Sequence, residues 1–393
     1  MSDIASREQL ASDQPVRFLP GESADLPPSP GIALCLSGGG YRAMIFHLGA
    51  LLRLNEVGLL QKIIRVSSVS GGSITAGMLG LKWKRLTFDS AGISTNLNVE
   101  VIDPIYQFAS VSFDIDAVLE GVINPLRSIP DEVASVYRKH LFGHATLQDL
   151  PADSEGPRFV INATNVQTKV LWRFSKPYMG DYRLGLIRNP TTELAVAVGA
   201  SSAFPPVLSP VRLRLNPADF GRVKGVDISD DRFRSEVYLS DGGVYDNLGL
   251  ETAWKQYDTI LVSDGGGLAG DEVQPHSDWL RHTRRVLEVI DNQVGALRKR
   301  QIVDAYIDKK RKGAYWGVRT DISHYGLPDT LPCPYEKTLA LANLATRLKK
   351  MDDLTRQHLI NWGYAVTDAA LRKHVDSSIP KAAAFPYPQV GVG

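Results

Sequence analysis

Cysteine is nearly missing from this chain. Only Cys35 and Cys333 occur in 393 residues. Two cysteines make no disulfide framework, and no CxxC or Cys/His spacing marks a zinc site, so no metal is expected. Cys35 lies in an apolar run and reads as a small core residue. A reducing, cytoplasmic setting is expected. An excess of one charge is missing too. Lysine plus arginine number 44 against 43 aspartates and glutamates, so bulk charge gives no reason to expect nucleic acid as a partner. No apolar run reaches the roughly 18 residues of a membrane-crossing helix. Contact with membrane is therefore expected to be peripheral. The opening MSDIASREQLASDQPVRFLPGESADLPPSPG lacks the apolar centre of a signal peptide. Residues 1–29 are expected to form a flexible lead-in to a single domain over residues 30–393.

The pattern that is present is strand, helix, strand, helix. Ile32–Ser37 is an apolar run ended by glycines. Arg42–Glu56 carries apolar residues at helical spacing, with Gly58 as its stop. Ile63–Ser67 reads as a second buried strand and Gly71–Leu81 as a second helix. This alternation predicts a parallel sheet covered on both faces. A helical insertion over residues 82–150 breaks the rhythm. Within it Asp103–Leu126 reads either as a roof over a site or as a core helical pair. Arg158–Thr164 and Val170–Ser175 are expected as a hairpin-like pair, and Glu193–Ser202 as a short helix ending before Pro205-Pro206. Glu236–Ser240 and Asp258–Ser263 are predicted strands, each running into Asp-Gly-Gly. Residues 277–393 form a mainly helical C-terminal part: one long or broken helix over 277–312, a strand at Ala314–Asp321, and helices at Leu339–Lys350 and Asp352–Arg372. From Arg281 to Lys312 there are ten basic and four acidic residues. That run is either a solvated face or a patch for anionic lipid or another polyanion.

Two stretches carry chemistry. In RVSSVSGGSITAG, residues 65–77, an apolar strand enters Ser68-Val69-Ser70-Gly71-Gly72 and a helix of small residues leaves. This is the layout of a nucleophile elbow, GxSxG, with Ser68 at the first glycine position. Small neighbours are required because side chains there would strike the adjacent backbone. The helix N-terminus favours an alkoxide at Ser70 and the oxyanion that follows. In VYLSDGGVYDNLGL, residues 237–250, a strand ends at Asp241. The C-terminal ends of strands in a parallel sheet line one crevice, which would bring Asp241 to Ser70 as its base. Asp264, in ILVSDGGG, repeats the pattern; Asp241 is preferred because its turn leads into a further ordered segment. His47, His276 and His282 are available for a triad, but none stands in a distinctive setting. Without one, the carboxylate takes the serine proton directly, which demands desolvation and a raised pKa.

The stretch LCLSGGGYRAMIFHLGALLRL, residues 34–54, then acquires a purpose. Gly38, Gly39 and Gly40 offer backbone N–H groups to an oxyanion, and Arg42 a permanent charge for a phosphodiester. A P-loop is excluded by the lack of Gly-Lys-[Ser/Thr], and a dinucleotide loop by Ala43 at its last glycine position.

These motifs, in this order, resemble the bacterial type of patatin-like phospholipases. SGGGYRAM is similar to the loop of the cytosolic phospholipase A branch, and NATNVQTKVLWRFS and AVGASSAFPPVLSP are similar to later blocks. The resemblance covers about residues 30–267. It implies a three-layer α/β/α sandwich around a mainly parallel sheet, and a Ser/Asp dyad that hydrolyses lipid acyl esters without cofactor or metal. It implies Ser70 as nucleophile, Asp241 as base, Gly38, Gly39 and Gly40 as oxyanion loop, Arg42 as phosphate contact and Gly71 beside it on the substrate. The implied substrate is a membrane phospholipid or lysophospholipid. An acyltransferase or neutral-lipid esterase on the same dyad, or a signal-gated membrane-degrading effector, are the alternatives. Calcium dependence is not implied.

Overall fold

Leu34 and Leu36 on one side of the first strand and Ala33 and Cys35 on the other are all fully buried, so this strand has no wet face. That is the signature of a sheet sandwiched between helices. The computed structural model describes residues 28–111, 129–221, 226–267, 271–346 and 348–393. Five parallel strands form its centre: β1 (Ser29–Leu36), β2 (Ile63–Val69), β3 (Arg158–Asn165), β10 (Tyr257–Asp264) and β11 (Lys312–Gly317). Their spatial order is β11-β10-β1-β2-β3. Beyond β3 the sheet turns antiparallel through β4 (Val170–Phe174), β5 (Tyr178–Asp181), β6 (Gly185–Arg188) and β8 (Phe220–Gly221). β7 (Val211–Arg214) pairs with β9 (Glu236–Asp241), and β9 with β3, all antiparallel.

The helices are α1 (Gly40–Glu56), α2 (Gly71–Lys82), α3 (Asp103–Phe108), α4 (Ile129–Tyr137), α5 (Leu194–Ser201), α6 (Asp231–Ser235), α7 (Gly243–Asp246), α8 (Glu251–Trp254), α9 (Trp279–Ile307), α10 (Tyr335–Ala342) and α11 (Asp353–His374). Alternation along the strands assigns the layers. Leu34, Leu36 and Leu261 face a core built with α1, α2 and α11, while Ala33, Cys35, Ile260 and Val262 face Leu248, Leu250, Ala253 and Ile302. The result is the expected α/β/α sandwich.

α1 lies between the sheet and α11 and is buried along almost its whole length. Two glycines set that crossing. A Cβ on Gly49 would fall 2.1 Å from the Ile360 carbonyl oxygen, and one on Gly363 the same distance from that of Phe46. Arg53 of α1 also pairs with the buried Asp368 of α11 at 2.7 Å. Burying both partners stabilises little by itself, but it makes either one costly to remove.

Several boundaries differ from expectation. β1 begins within the expected lead-in, because the Ser29 N–H donates to the Gln256 carbonyl at 2.7 Å. Residues 1–27 lie outside the described residues, as do 112–128, which hold much of the stretch read as roof or core pair. Its described beginning is core, with Ile105 and Phe108 buried. The helix expected over 277–312 is continuous from 279 to 307, and β11 starts two residues before the predicted Ala314. The helix expected to reach Lys350 stops at Ala342, and the backbone after it reaches α1 instead.

Alanine ordinarily stabilises a helix by about 1 kcal/mol over glycine. Gly49→Ala and Gly363→Ala are each expected to destabilise instead, by about 1–3 kcal/mol, because the added methyl meets unyielding backbone. Urea denaturation measures this; a gain in stability would show that the two helices part without cost.

Candidate active site

Ser70 sits between β2 and α2 with φ +51° and ψ −121°. A non-glycine residue rarely adopts that conformation, and it persists where the surroundings enforce it. Here the enforcement is steric. A Cβ on Gly71 would lie 2.1 Å from the Gly40 carbonyl oxygen, and one on Gly72 2.4 Å from that of Leu36. The Ser70 N–H donates to Ser201 Oγ at 3.0 Å, and Ser201 Oγ in turn donates to the Asn162 carbonyl at 2.6 Å. Ser68, at the elbow's first position, is fully buried and accepts from Ser73 Oγ at 3.0 Å, so its extra hydroxyl is accommodated.

Asp241 reaches Ser70 by a route the sequence did not suggest. It was expected to lie at the end of a parallel strand, but β9 runs antiparallel to β3. β2 ends where Val69 pairs with Asn162, and β9 ends where Asp241 pairs with Ala163, the next residue of β3. β4 holds the opposite edge of β3 over the same residues. β2 and β9 therefore occupy one row and run at each other, and their C-terminal ends meet. A Cβ on Gly242 would lie 2.4 Å from the Asn162 carbonyl oxygen, so the meeting point admits only glycine.

The carboxylate is fixed and dry. The Asp241 N–H donates to the Ala203 carbonyl at 2.9 Å, and its own carbonyl accepts from Thr164 Oγ1 at 2.8 Å. Oδ1 accepts from the Gly243 N–H at 2.7 Å. Oδ2 is buried with no partner at full hydrogen-bond geometry. The Ser70 hydroxyl is near enough to lower the carboxyl pKa, but the bond is not closed. Such contacts are often long before substrate arrives. Burial dominates, and it pushes Asp241 up to about 7; the Gly243 and Ser70 donors oppose it, and the Asp291 charge adds to it.

Asp264, the rival, has the opposite environment. Lys299 pairs with it at 2.8 Å, Tyr315 donates to it at 2.6 Å, and the Gly266 N–H at 2.9 Å. Burial raises its pKa, but Lys299 and these donors outweigh burial and hold it below the ordinary value. His47 is buried between Ser263 Oγ and the Ser37 carbonyl, and burial pulls its pKa down to about 4. His276 and His282 are exposed, and among the described residues no histidine bonds Ser70 or Asp241.

The glycine loop lies against the elbow: a Cβ on Gly38 would fall 3.1 Å from the Ser70 Cβ. Its three glycines are not equivalent. The Gly38 N–H is engaged by the Asn247 carbonyl at 3.0 Å, so Gly38 departs from its expected role as an oxyanion donor. Gly39 and Gly40 have φ of +144° and +60°. Their N–H groups and that of Gly71 donate to no acceptor among the described residues. Arg42 departs further. It is 2% exposed, and its guanidinium is occupied by the Gly265 carbonyl at 3.1 Å, Thr346 Oγ1 at 2.9 Å and the Leu344 carbonyl. In this arrangement it ties the loop to the C-terminal part instead of facing an open phosphate site.

Two residues escaped the sequence reading. Ser201, within AVGASSAFPPVLSP, holds the elbow. Asn247, six residues past Asp241, wedges its amide among the loops: its Oδ1 would lie 2.3 Å from a Cβ on Gly38 and 2.8 Å from one on Gly243. The glycines facing it were the available signal.

The family model for patatin-like phospholipase matches residues 34–254. Phospholipase B of Cryptococcus neoformans var. grubii serotype A is 35% identical over 98 residues, which cover 24% of this chain and 15% of that protein. The human GIVD cytosolic phospholipase A2 in complex with methyl gamma-linolenyl fluorophosphonate is similar in structure. It has a TM-score of 0.52 at 14% identity, over 86% of this chain and 57% of that one. The same enzyme with that inhibitor and terbium chloride gives a TM-score of 0.50 at 14% identity, over the same shares. This chain thus spans less than two thirds of the length of these relatives.

A carboxyl whose pKa is raised on folding keeps a proton that the unfolded chain has already released. Between about pH 4 and 7 the native state binds more protons than the unfolded state, so stability falls as pH rises. The contribution of Asp241 is intact below its unfolded pKa and is lost by about pH 7. Asp241→Asn is expected to remove that part of the slope and to be the more stable protein at pH 8. Denaturation curves at pH 4.5 and pH 8 check this; parallel slopes for the two proteins would refute it.

Proposed function

The chain belongs to the patatin-like phospholipases, and on that premise we propose that it is a serine acyl hydrolase of phospholipid or lysophospholipid esters. The observation that carries the proposal is the unpartnered, desolvated Oδ2 of Asp241 beside the strained Ser70. Ser70 Oγ attacks the ester carbonyl while Asp241 takes its proton. The carbonyl oxygen becomes an oxyanion, which the N–H groups of Gly39, Gly40 and Gly71 receive. Collapse of the tetrahedral intermediate expels the lysophospholipid or glycerophosphodiester alkoxide, which takes the proton back from Asp241. Water then gives one proton to Asp241 and attacks the acyl-serine; as the second tetrahedral intermediate collapses to the fatty acid, Ser70 Oγ leaves and takes that proton back from Asp241. A carboxylate with a pKa near the working pH serves both proton transfers, because it is neither too weak a base nor too weak an acid.

The names of the relatives support a phospholipid substrate. No helix among the described residues is long and apolar enough to cross a membrane. A cytoplasmic membrane surface is the proposed place where the enzyme meets its substrate.

Ser70→Ala is expected to lower hydrolysis of a fluorogenic phospholipid by about 10⁴-fold or more. A fluorophosphonate probe is expected to label Ser70 in the wild type alone, as read by peptide mass spectrometry. Retained turnover in Ser70→Ala, or an adduct elsewhere, would overturn the assignment. Because the base must be ionised to act, kcat/KM is expected to rise with pH through about 7. A profile flat from pH 5 to 9 would remove Asp241 from that role.

A further inference from the structure

The exposed apolar side chains of this protein are concentrated in one place. Of the 17 large ones among the described residues, eight lie on α9: Trp279, Val286, Leu287, Val289, Ile290, Leu297, Val303 and Ile307. Three more, Phe204, Val207 and Val244, lie on the segments flanking Asp241 in space. Phe204 follows Ala203, whose carbonyl accepts the Asp241 N–H, and Val244 belongs to α7, directly after Asp241.

α9 has two unlike faces. Its inner side packs on α7 and β11 and is anchored in its last turns. There Ile302 and Ala305 are buried, Arg298 pairs with Glu251 at 3.0 Å, and Lys299 pairs with Asp264 at 2.8 Å. On the other side, Trp279, Val286, Ile290 and Leu297 follow one another at seven, four and seven residues, which places them in one line along the helix. They are 79%, 43%, 49% and 51% exposed. Nothing among the described residues covers this line, which runs along a helix about 43 Å long.

The charge beside the line identifies its occupant. From Arg281 to Lys312 there are ten basic against four acidic residues. Arg281, Arg300, Lys309, Lys310 and Lys312 are exposed; the three lysines lie just past the end of α9, and Arg281 and Lys310 meet Asp278 and Asp308 at 2.7 Å. A second copy of this chain, docked two-fold on the same face, would set these like charges against each other. An anionic phospholipid surface complements this excess, and an apolar helix face with a basic segment at its end is what an interfacial helix presents to headgroups and upper acyl chains.

We propose that the outer face of α9, continuous with the rim formed by Phe204, Val207 and Val244, docks on an anionic phospholipid bilayer. Docking there places the mouth of the Ser70–Asp241 site against the lipid surface. The inference that docking serves catalysis rests on the hydrolase reading above; the docking itself does not.

The test uses full-length Ser70→Ala protein, which cannot degrade the vesicles it binds. It is sedimented with vesicles of phosphatidylcholine alone or mixed with phosphatidylserine. Binding is expected to the mixed vesicles and to weaken with added salt. Val286→Asp/Ile290→Asp/Leu297→Asp is expected to bind about 10-fold less, and Arg300→Glu/Lys310→Glu to lose the preference for phosphatidylserine. In the Ser70 background, hydrolysis of a soluble short-chain ester is expected to stay within about 2-fold of wild type in both variants. Equal vesicle binding by wild type and both variants would overturn the proposal. So would a wild-type dimer in sedimentation velocity that the triple variant converts to monomer, because the line would then be a subunit interface. If vesicles are bound through α9 and no soluble ester is turned over, the hydrolase reading fails and the docking surface stands.

Discussion

Two strands that approach each other along one edge of β3 leave a gap that only small residues can fill. This constraint sets most of what surrounds the site. Gly71 and Gly72 are required where the elbow meets the first strand and the glycine loop, and Gly242 where the second strand turns away beside Asn162. Ser70 takes its strained conformation because the chain must reverse here without a side chain striking β1. Ser201 joins the two strand ends: its hydroxyl holds the Ser70 N–H and its carbonyl accepts the Gly242 N–H at 3.3 Å. The geometry that places a hydroxyl beside a carboxylate is thus a by-product of sheet topology, not of a loop that could drift.

The same topology explains how two aspartates in near-identical Asp-Gly-Gly settings differ. Both end buried strands. Asp264 ends on the side where α9 brings Lys299, and that cation stabilises its charge. Asp241 ends where the α9 charge that acts on it is that of Asp291, another acid. One helix therefore neutralises one carboxylate and discourages ionisation of the other. Local sequence is nearly blind to this, because the deciding charges lie on a helix more than 25 residues beyond Asp264.

Legibility in the sequence followed how local the physics was. The elbow was readable because the steric demand falls on Gly71 and Gly72 themselves. The buried strands were readable because both of their faces are apolar. Strand direction was not, since nothing within Glu236–Asp241 says that it runs against β3. The nature of Gly38 and Arg42 was hidden for a related reason. Glycines at a helix start and an arginine in its first turn suggest an anion site, but the partners that occupy them, Asn247, Leu344 and Thr346, lie far away in the chain. The long basic segment was read as a solvated face or an anion patch, and its charges were visible. The line of apolar residues turned outward was not, because a helix does not state which of its faces is inward.

The packing of α1 against α11 has a consequence for how the chain is made. α1 is made well before α11, with apolar side chains on almost every side. One of its surfaces is covered by the sheet, whose β1 lies between β2 and β10. The other waits for α11, some 300 residues later. Throughout most of synthesis that surface has no native partner, and contacts of such sequence separation form slowly. Until α11 joins it, that surface is open to non-native apolar contacts. The helical layer that encloses α1 is complete only when α11 arrives.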